Sequence, residues 1–202
     1  MKKLSYIFLL GLISIFFNSC EEAILLNPEQ SLSEEVTFSN AAGAQAALNA
    51  VYSQAQLLDV FGSGPQIFED LMADNTEFVG SFPTIQDVKN YVTTTPNATV
   101  QSYWQVMYRV INGANTVIDR VPSINDPALT DEAKSQIVGQ AKFMRAIVYL
   151  QLVNQFAQPY NRGNGNNPGV PLILKGFDGT PEFPSRSSVA EVHTQIIKDL
   201  TE

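Results

Sequence analysis

Two stretches constrain this chain more than any others. Residues 99–121 and 130–156 carry apolar side chains at helical spacing, and each carries them on two faces. In the first, Val100, Trp104, Tyr108, Ile111, Asn115 and Ile118 form one stripe, and Tyr103, Met107, Val110, Ala114, Val117 and Val121 the other. In the second, one stripe is Ile137, Ala141, Met144, Val148, Leu152 and Phe156, and a second is Phe143, Ile147 and Leu150. A helix with one apolar stripe lies on a core, whereas a helix with two is covered from two sides. Pro122 stops the first helix, and Thr130, followed by Asp131 and Glu132, opens the second with an N-cap hydroxyl and carboxylates at the positive helix end. The eight residues between them, 122–129, imply an antiparallel pair that stacks on further helices. This is the logic of a tetratricopeptide-type array, although no clean repeat period accompanies it. The expected fold class is all-α (mainly): tetratricopeptide-like helix pairs with long loops.

The remaining elements are shorter. A helix is expected from Ser39 or Asn40 through Ala44, Ala47, Leu48, Val51, Tyr52 and Leu58, ended by Gly62-Ser63-Gly64-Pro65. Ile67 to Met72 is expected to form one or two turns. Residues 74–98 read as a long polar loop, and 157–186 as another. Within the latter, Asn161 to Gly169 is dense in turn formers, and Gly169-Val170-Pro171-Leu172-Ile173-Leu174 is expected to touch an edge strand briefly. Ser188-Val189-Ala190-Glu191 is a capping box opening a last helix with Val189, Val192, Ile196, Ile197 and Leu200. That pattern reaches Glu202 without a stop signal, so the sequence reads as the N-terminal part of a longer protein. A fragment ending there is expected to be unstable alone, because each two-striped helix would leave one face bare.

The start of the chain reads as an address. Met1-Lys2-Lys3 is basic, and Leu4 to Phe17 is a 14-residue apolar run, too short for a bilayer span. Phe17-Asn18-Ser19-Cys20 resembles a bacterial lipobox, which implies cleavage before Cys20 and its acylation. Glu21-Glu22 resembles the surface-export signal of lipoproteins in the Bacteroidetes group. The expected organisation is a signal peptide over 1–19, a lipidated tether and extended lead-in over 20–38, and a helical domain over 39–202. Loss of Lys2 and Lys3 takes the formal charge from −8 to −10.

Composition removes several function classes. A chain with 12 Lys+Arg against 20 Asp+Glu is a poor partner for nucleic acid phosphate. One Cys makes no internal disulfide, and one His makes no His-rich metal site. His193 lacks a Gly-x-Ser-x-Gly elbow to serve, and Gly62-Ser63-Gly64 lacks the third Gly and the Lys of a phosphate loop. Glu69, Asp70, Asp74 and Glu77 are read as solvated loop acids, without EF-hand spacing for calcium. No catalytic residue, cofactor or metal ligand is expected. Asn115 and Arg145 fall on helix stripes, where a polar group needs partners, and are read as structural hydrogen-bond anchors. Trp104 is read as core packing.

Several stretches in order resemble the SusD/RagB family of outer-membrane nutrient-binding lipoproteins. They are Cys20, Leu26-Asn27-Pro28, Ala47-Leu48-Asn49-Ala50-Val51-Tyr52, Trp104 to Asn115, Ala141 to Val153 with Phe156 and Pro159, Gly169-Val170-Pro171-Leu172, and Arg186 to Val192. Ala157 departs from the family's usual Gly, and family members are considerably longer. The resemblance implies a SusD-like helical fold and a lipid anchor in the outer leaflet of the outer membrane, with the protein facing the exterior. It implies an oligosaccharide ligand, or a peptide in some members, passed to a TonB-dependent β-barrel transporter (SusC-like). It implies no catalysis. For the glycan reading, the loop 74–98 offers Phe78, Phe82, Asn90 and Tyr91 as ligand-binding residues. The structural alternative for its aromatics is that they pin the loop to the helices. A peptide-binding or structural interaction lipoprotein is the other function class.

Overall fold

A computed structural model describes residues 33–202; Cys20, the acidic pair after it and the first part of the lead-in lie outside the described residues. Ser33 and the one-turn helix α1 (Glu34–Thr37) open the described part. The body, Thr37–Glu202, follows as α2 (Ala41–Ala55), α3 (Gly64–Met72), α4 (Pro83–Lys89), α5 (Ala98–Arg120), α6 (Asp131–Phe156) and α7 (Val189–Thr201). The architecture is helical, and no strand occurs among the described residues beyond an isolated bridge, Pro168 to Ser188.

The two long helices form the expected antiparallel pair. Trp104 of α5 meets Phe156 of α6 with ring centroids 5.0 Å apart, and Asn115 of α5 meets Arg145 of α6 at 2.8 Å. Eleven residues separate the contacts on either helix, so the two run in opposite directions at equal rise for about 16 Å. The turn between them is a 3-10 turn, Val121–Ser123, and Thr130 caps α6 by accepting from the Ala133 amide. α2 lies against both helices and α7 against α6. Leu48, Val51, Met107, Val110, Ile111, Val148, Tyr149 and Leu152 close one core among them. Gly113 sets the spacing of α2 and α5: a Cβ there would stand 3.3 Å from Val51 Cγ2.

Four local expectations are corrected. α2 ends at Ala55, and Leu58 lies beyond it, exposed. Gly64-Pro65 begins α3 instead of ending α2, because proline's fixed φ suits the first helical turn, where its missing N–H goes unused. For the same reason Pro83 starts α4 inside the stretch 74–98, read from sequence as loop throughout. The second stripe of α6 is only partly covered: Phe143 and Leu150 are exposed and Ile147 is half-buried.

The segment 157–188 is a strap laid back over the helix pair. It turns through positive φ at Gly163, Asn164 and Gly165, then runs extended across α5 and α6. Hydrogen bonds staple it down almost residue by residue. Tyr108 donates to Pro171 O (2.8 Å), Asn115 Nδ2 to Ile173 O (2.9 Å) and to Lys175 O (3.0 Å). Asp119 accepts from Gly176 N and Asn112 from Phe177 N, both at 2.8 Å. The Tyr149 hydroxyl accepts from Ile173 N (2.7 Å) and donates to Ile173 O (2.9 Å), a two-bond clasp on one residue. Burial pushes the Tyr149 phenol up to about 12.

Candidate functional site

The end of the helix pair remote from its turn carries a groove of about 790 Å³. Its walls are the loop Thr93-Thr94-Thr95-Pro96, the first turns of α5 (Val100, Gln101, Trp104, Gln105) and Phe156 at the end of α6. Each wall is fixed from beneath. Asn97 is buried and caps α5 by accepting from Val100 N, while its Nδ2 donates to Thr84 O (2.8 Å). Thr99 adds a hydroxyl contact to Thr84 (2.7 Å), so α4 sets where the Thr-rich loop ends. At the opposite wall, Arg186 donates through Nη2 to Phe156 O and through Nε to Gly169 O (2.6 Å). A guanidinium thus sits at the negative end of α6, where a cation is favoured.

Trp104 stands between Tyr108 and Phe156, with ring centroids 4.9 Å and 5.0 Å away and the Phe156 ring edge-on. Such pairs fix the orientation of the indole. Gln101 and Gln105 flank it on α5 and are exposed, so the groove offers a held aromatic ring bordered by two amides and threonine hydroxyls.

A smaller recess of about 190 Å³ shares Thr93, Val100 and Phe156 with the groove and is lined further by Phe68, Met72, Val88, Tyr103 and Gln155. Gln155, one of its lining residues, has its Nε2 shielded from solvent and without a hydrogen-bond partner. A third cavity, about 330 Å³, lies between α5 and the strap, lined by Tyr108, Asn112, Lys175, Phe177, Asp178 and Glu182 among others.

Residues 26–202 match the SusD-like family described as "Starch-binding associating with outer membrane". This chain belongs to the SusD-like family. It is 30% identical over 157 residues to SusD-like protein P25 of Formosa agariphila, covering 74% of this chain and 29% of that protein. To SusD-like protein P38 of the same organism it is 29% identical, over all of this chain and 37% of that one. The SusD-like chain therefore spans about a third of the length of these curated relatives. Among solved structures, a SusD superfamily protein of Bacteroides thetaiotaomicron superposes with a TM-score of 0.68 at 26% identity, covering 78% of this chain and 35% of that chain. A candidate sugar-binding protein of Bacteroides vulgatus superposes at 0.62 with 26% identity and the same coverages, 78% and 35%.

In the SusD-like chain the four ligand residues expected from sequence do not line the groove. Phe82 precedes α4 and is 67% exposed; Tyr91, just after α4, is 63% exposed, with φ at +57° and its hydroxyl donating to Met72 O. Asn90 is the exposed C-cap of α4. Phe78 packs half-buried against the core and folds over Gly80. None of the four lines the groove or its recess.

Asn115 and Arg145 are both buried and bonded to each other, and Arg145 pairs with Asp199 of α7. His193 packs edge-on against Tyr160. Of the acidic cluster, Glu69 accepts from Gln151 (2.8 Å) and Glu77 pairs with Lys89 (3.1 Å); no group of three or more metal-ligating side chains occurs among the described residues. Gln101, Gln105 and Gln155 were not singled out from sequence; Thr93–Pro96 lie within the loop 74–98 to which the glycan reading was assigned, but were not among the residues named in it. The available signal was the single Trp with a Gln three residues before it and another directly after, following a Thr-Thr-Thr-Pro run.

Proposed function

We propose that this SusD-like chain is a ligand-capturing part of a non-catalytic outer-membrane surface lipoprotein, anchored through Cys20. It binds oligosaccharide and delivers it to a TonB-dependent transporter. The observation that carries the reading is the groove at Trp104: an oriented indole bordered by exposed Gln101, Gln105 and three threonines. A sugar ring presents a C–H face, which stacks on an aromatic ring, and hydroxyls at its rim, which amides and hydroxyls can pair. The family description, starch-binding and outer-membrane associated, supports both the ligand class and the place. The sugar-binding description of the Bacteroides vulgatus neighbour supports the ligand class. Phe82 and Tyr91, exposed at the two ends of α4, offer further aromatic surface for a longer chain, with Asn90 next to Tyr91 and Phe78 packed against the core.

In the intact protein, Gln101→Ala with Gln105→Ala should lower glycan affinity at unchanged melting temperature, and Trp104→Ala should lower it further. Calorimetry showing the double glutamine variant and Trp104→Ala binding like the parent would sink the reading. Cys20→Ala should abolish palmitate labelling, and labelling that persisted would remove the anchor.

A further inference from the structure

The cavity of about 330 Å³ between α5 and the strap shares one helix face with the Trp104 groove. Gln101, Gln105, Tyr108 and Asn112 follow at steps of four, three and four residues, which puts them within about 60° of one another around α5. The first two line the groove and the last two line the cavity. The rings of Trp104 and Tyr108 meet at 4.9 Å where one gives way to the other. From Gln101 to Asn112 this face extends about 16 Å.

The strap wall of the cavity is fixed in advance. Lys175 O accepts from Asn115, Gly176 N donates to Asp119 and Phe177 N donates to Asn112, so three successive strap residues are tied to α5. A Cβ on Gly176 would stand 2.9 Å from Thr116 Oγ1, so only glycine lets the bend lie this close. A wall already ordered loses little entropy when a ligand arrives.

The lining mixes both signs of charge with aromatic rings: Lys175, Asp178 and Glu182 stand with Tyr108 and Phe177. The Lys175 ammonium is in no ion pair among the described residues. A wholly apolar ligand would strip these charged groups of water without replacing it. A simple anion would meet two carboxylates, and a simple cation the ammonium. A sugar suits both signs, because each hydroxyl can donate to a carboxylate and accept from an ammonium, while the C–H face of the ring packs on Tyr108 or Phe177.

We infer that this cavity is a second sugar-binding subsite continuing the Trp104 groove along α5, so that one oligosaccharide lies with one part at Trp104 and a further unit against Lys175 and Glu182. The inference rests on the glycan-binding reading and adds the second subsite and the charged residues that serve it. Tyr108, its hydroxyl tied to Pro171 O, supplies a fixed ring between the two.

The test uses the intact protein and calorimetry with four probes: maltose, maltohexaose, xylobiose and xylohexaose. Lys175 and Glu182 are exposed, so Lys175→Met with Glu182→Gln should leave the melting temperature unchanged. In the parent, the hexaose of at least one series should bind more tightly than its disaccharide. The double variant should lose about tenfold in affinity for that hexaose, the size of one charge-assisted hydrogen bond, and should bind the disaccharide as the parent does. Gln101→Ala with Gln105→Ala should instead weaken both lengths. A parent that binds the two lengths equally would overturn the second subsite while leaving capture at Trp104 standing. So would a Lys175→Met, Glu182→Gln variant that binds the hexaose like the parent, or that loses both lengths equally. If none of the four probes binds, the subsite inference falls, and a glycan array then decides whether the capture reading falls with it.

Discussion

Arg145 holds Asp199 at two points, Nε to Oδ2 at 2.7 Å and Nη2 to Oδ1 at 2.6 Å, with each residue only 5% exposed. The remaining guanidinium nitrogen donates to Asn115, which in turn holds two strap carbonyls, and Gln195 donates to Asp199 Oδ1 (2.8 Å). One cation thus joins α5, α6, α7 and the strap.

Removing the anion from this arrangement should cost far more than a surface pair would. Asp199→Ala leaves a buried guanidinium without its counter-charge, and a loss of about 3–5 kcal/mol is expected in urea unfolding of the intact protein. The double change Arg145→Met with Asp199→Leu removes both charges and should recover part of that loss. A single variant within about 0.5 kcal/mol of the parent would show that the pair is not structural.

Tyr149 makes stability sensitive to alkali. Its phenol is neutral in the fold up to about 12, against 10.0 for the free group, so the folded state retains a proton that the unfolded state gives up. The contribution is whole below pH 10 and is lost as pH rises through 12, a difference on the order of 3 kcal/mol for this group. Tyr149→Phe should lower stability at neutral pH by about 1–3 kcal/mol, by stranding Ile173 N, and should flatten the decline between pH 10 and 12. A Tyr149→Phe curve parallel to the parent's across that window would contradict this.

Asp126 ties the turn after α5 to the start of α2. Its carboxylate accepts from Ala41 N (2.8 Å) and Ala128 N (2.9 Å), and those bonds hold it below the usual 3.8. A lowered folded value means that the stabilisation is present above pH 3.8 and fades as pH falls through the folded value. Asp126→Ala should therefore lower the melting temperature at pH 6 and reduce its dependence on pH below 4. Identical acid limbs for variant and parent would refute the assignment.

Phe82→Ala with Tyr91→Ala tests the outer platform. Both rings are mostly exposed and outside the core, so melting temperature should hold, while affinity for a long oligosaccharide should fall less than in Trp104→Ala. A short oligosaccharide should not distinguish the double variant from the parent. Equal affinity for the long ligand would remove Phe82 and Tyr91 from the binding surface.

The helix pair was legible because its evidence is local and redundant: two stripes at the helical period, Pro122 as a stop, and Thr130 with two acids as a start. The capping box at Ser188 and Glu191 was legible for the same reason, and both of its reciprocal bonds are made. The helix at 83–89 was not. Proline stops a helix or opens one depending on what precedes it, and seven residues carry too little periodicity to decide. The groove was hidden differently. Trp104 sits on an apolar stripe and reads as core, and only the fold shows that it also borders open space, because its neighbours Phe156 and Thr93–Pro96 come from elsewhere in the chain. Asp199 carries no local sign of its partner, 54 residues away.

The strap has a further consequence for how the molecule is made. The α5–α6 hairpin closes across a link of ten residues, whereas the clamp on Ile173 and Lys175 is completed only when Asp199 arrives on the last helix. Local contacts form before distant ones, because loop closure is entropically costly. Folding is thus expected to begin in the hairpin and to end with the docking of α7. Substitutions at Leu152 or Val110 would then slow folding, and substitutions at Asp199 would chiefly speed unfolding.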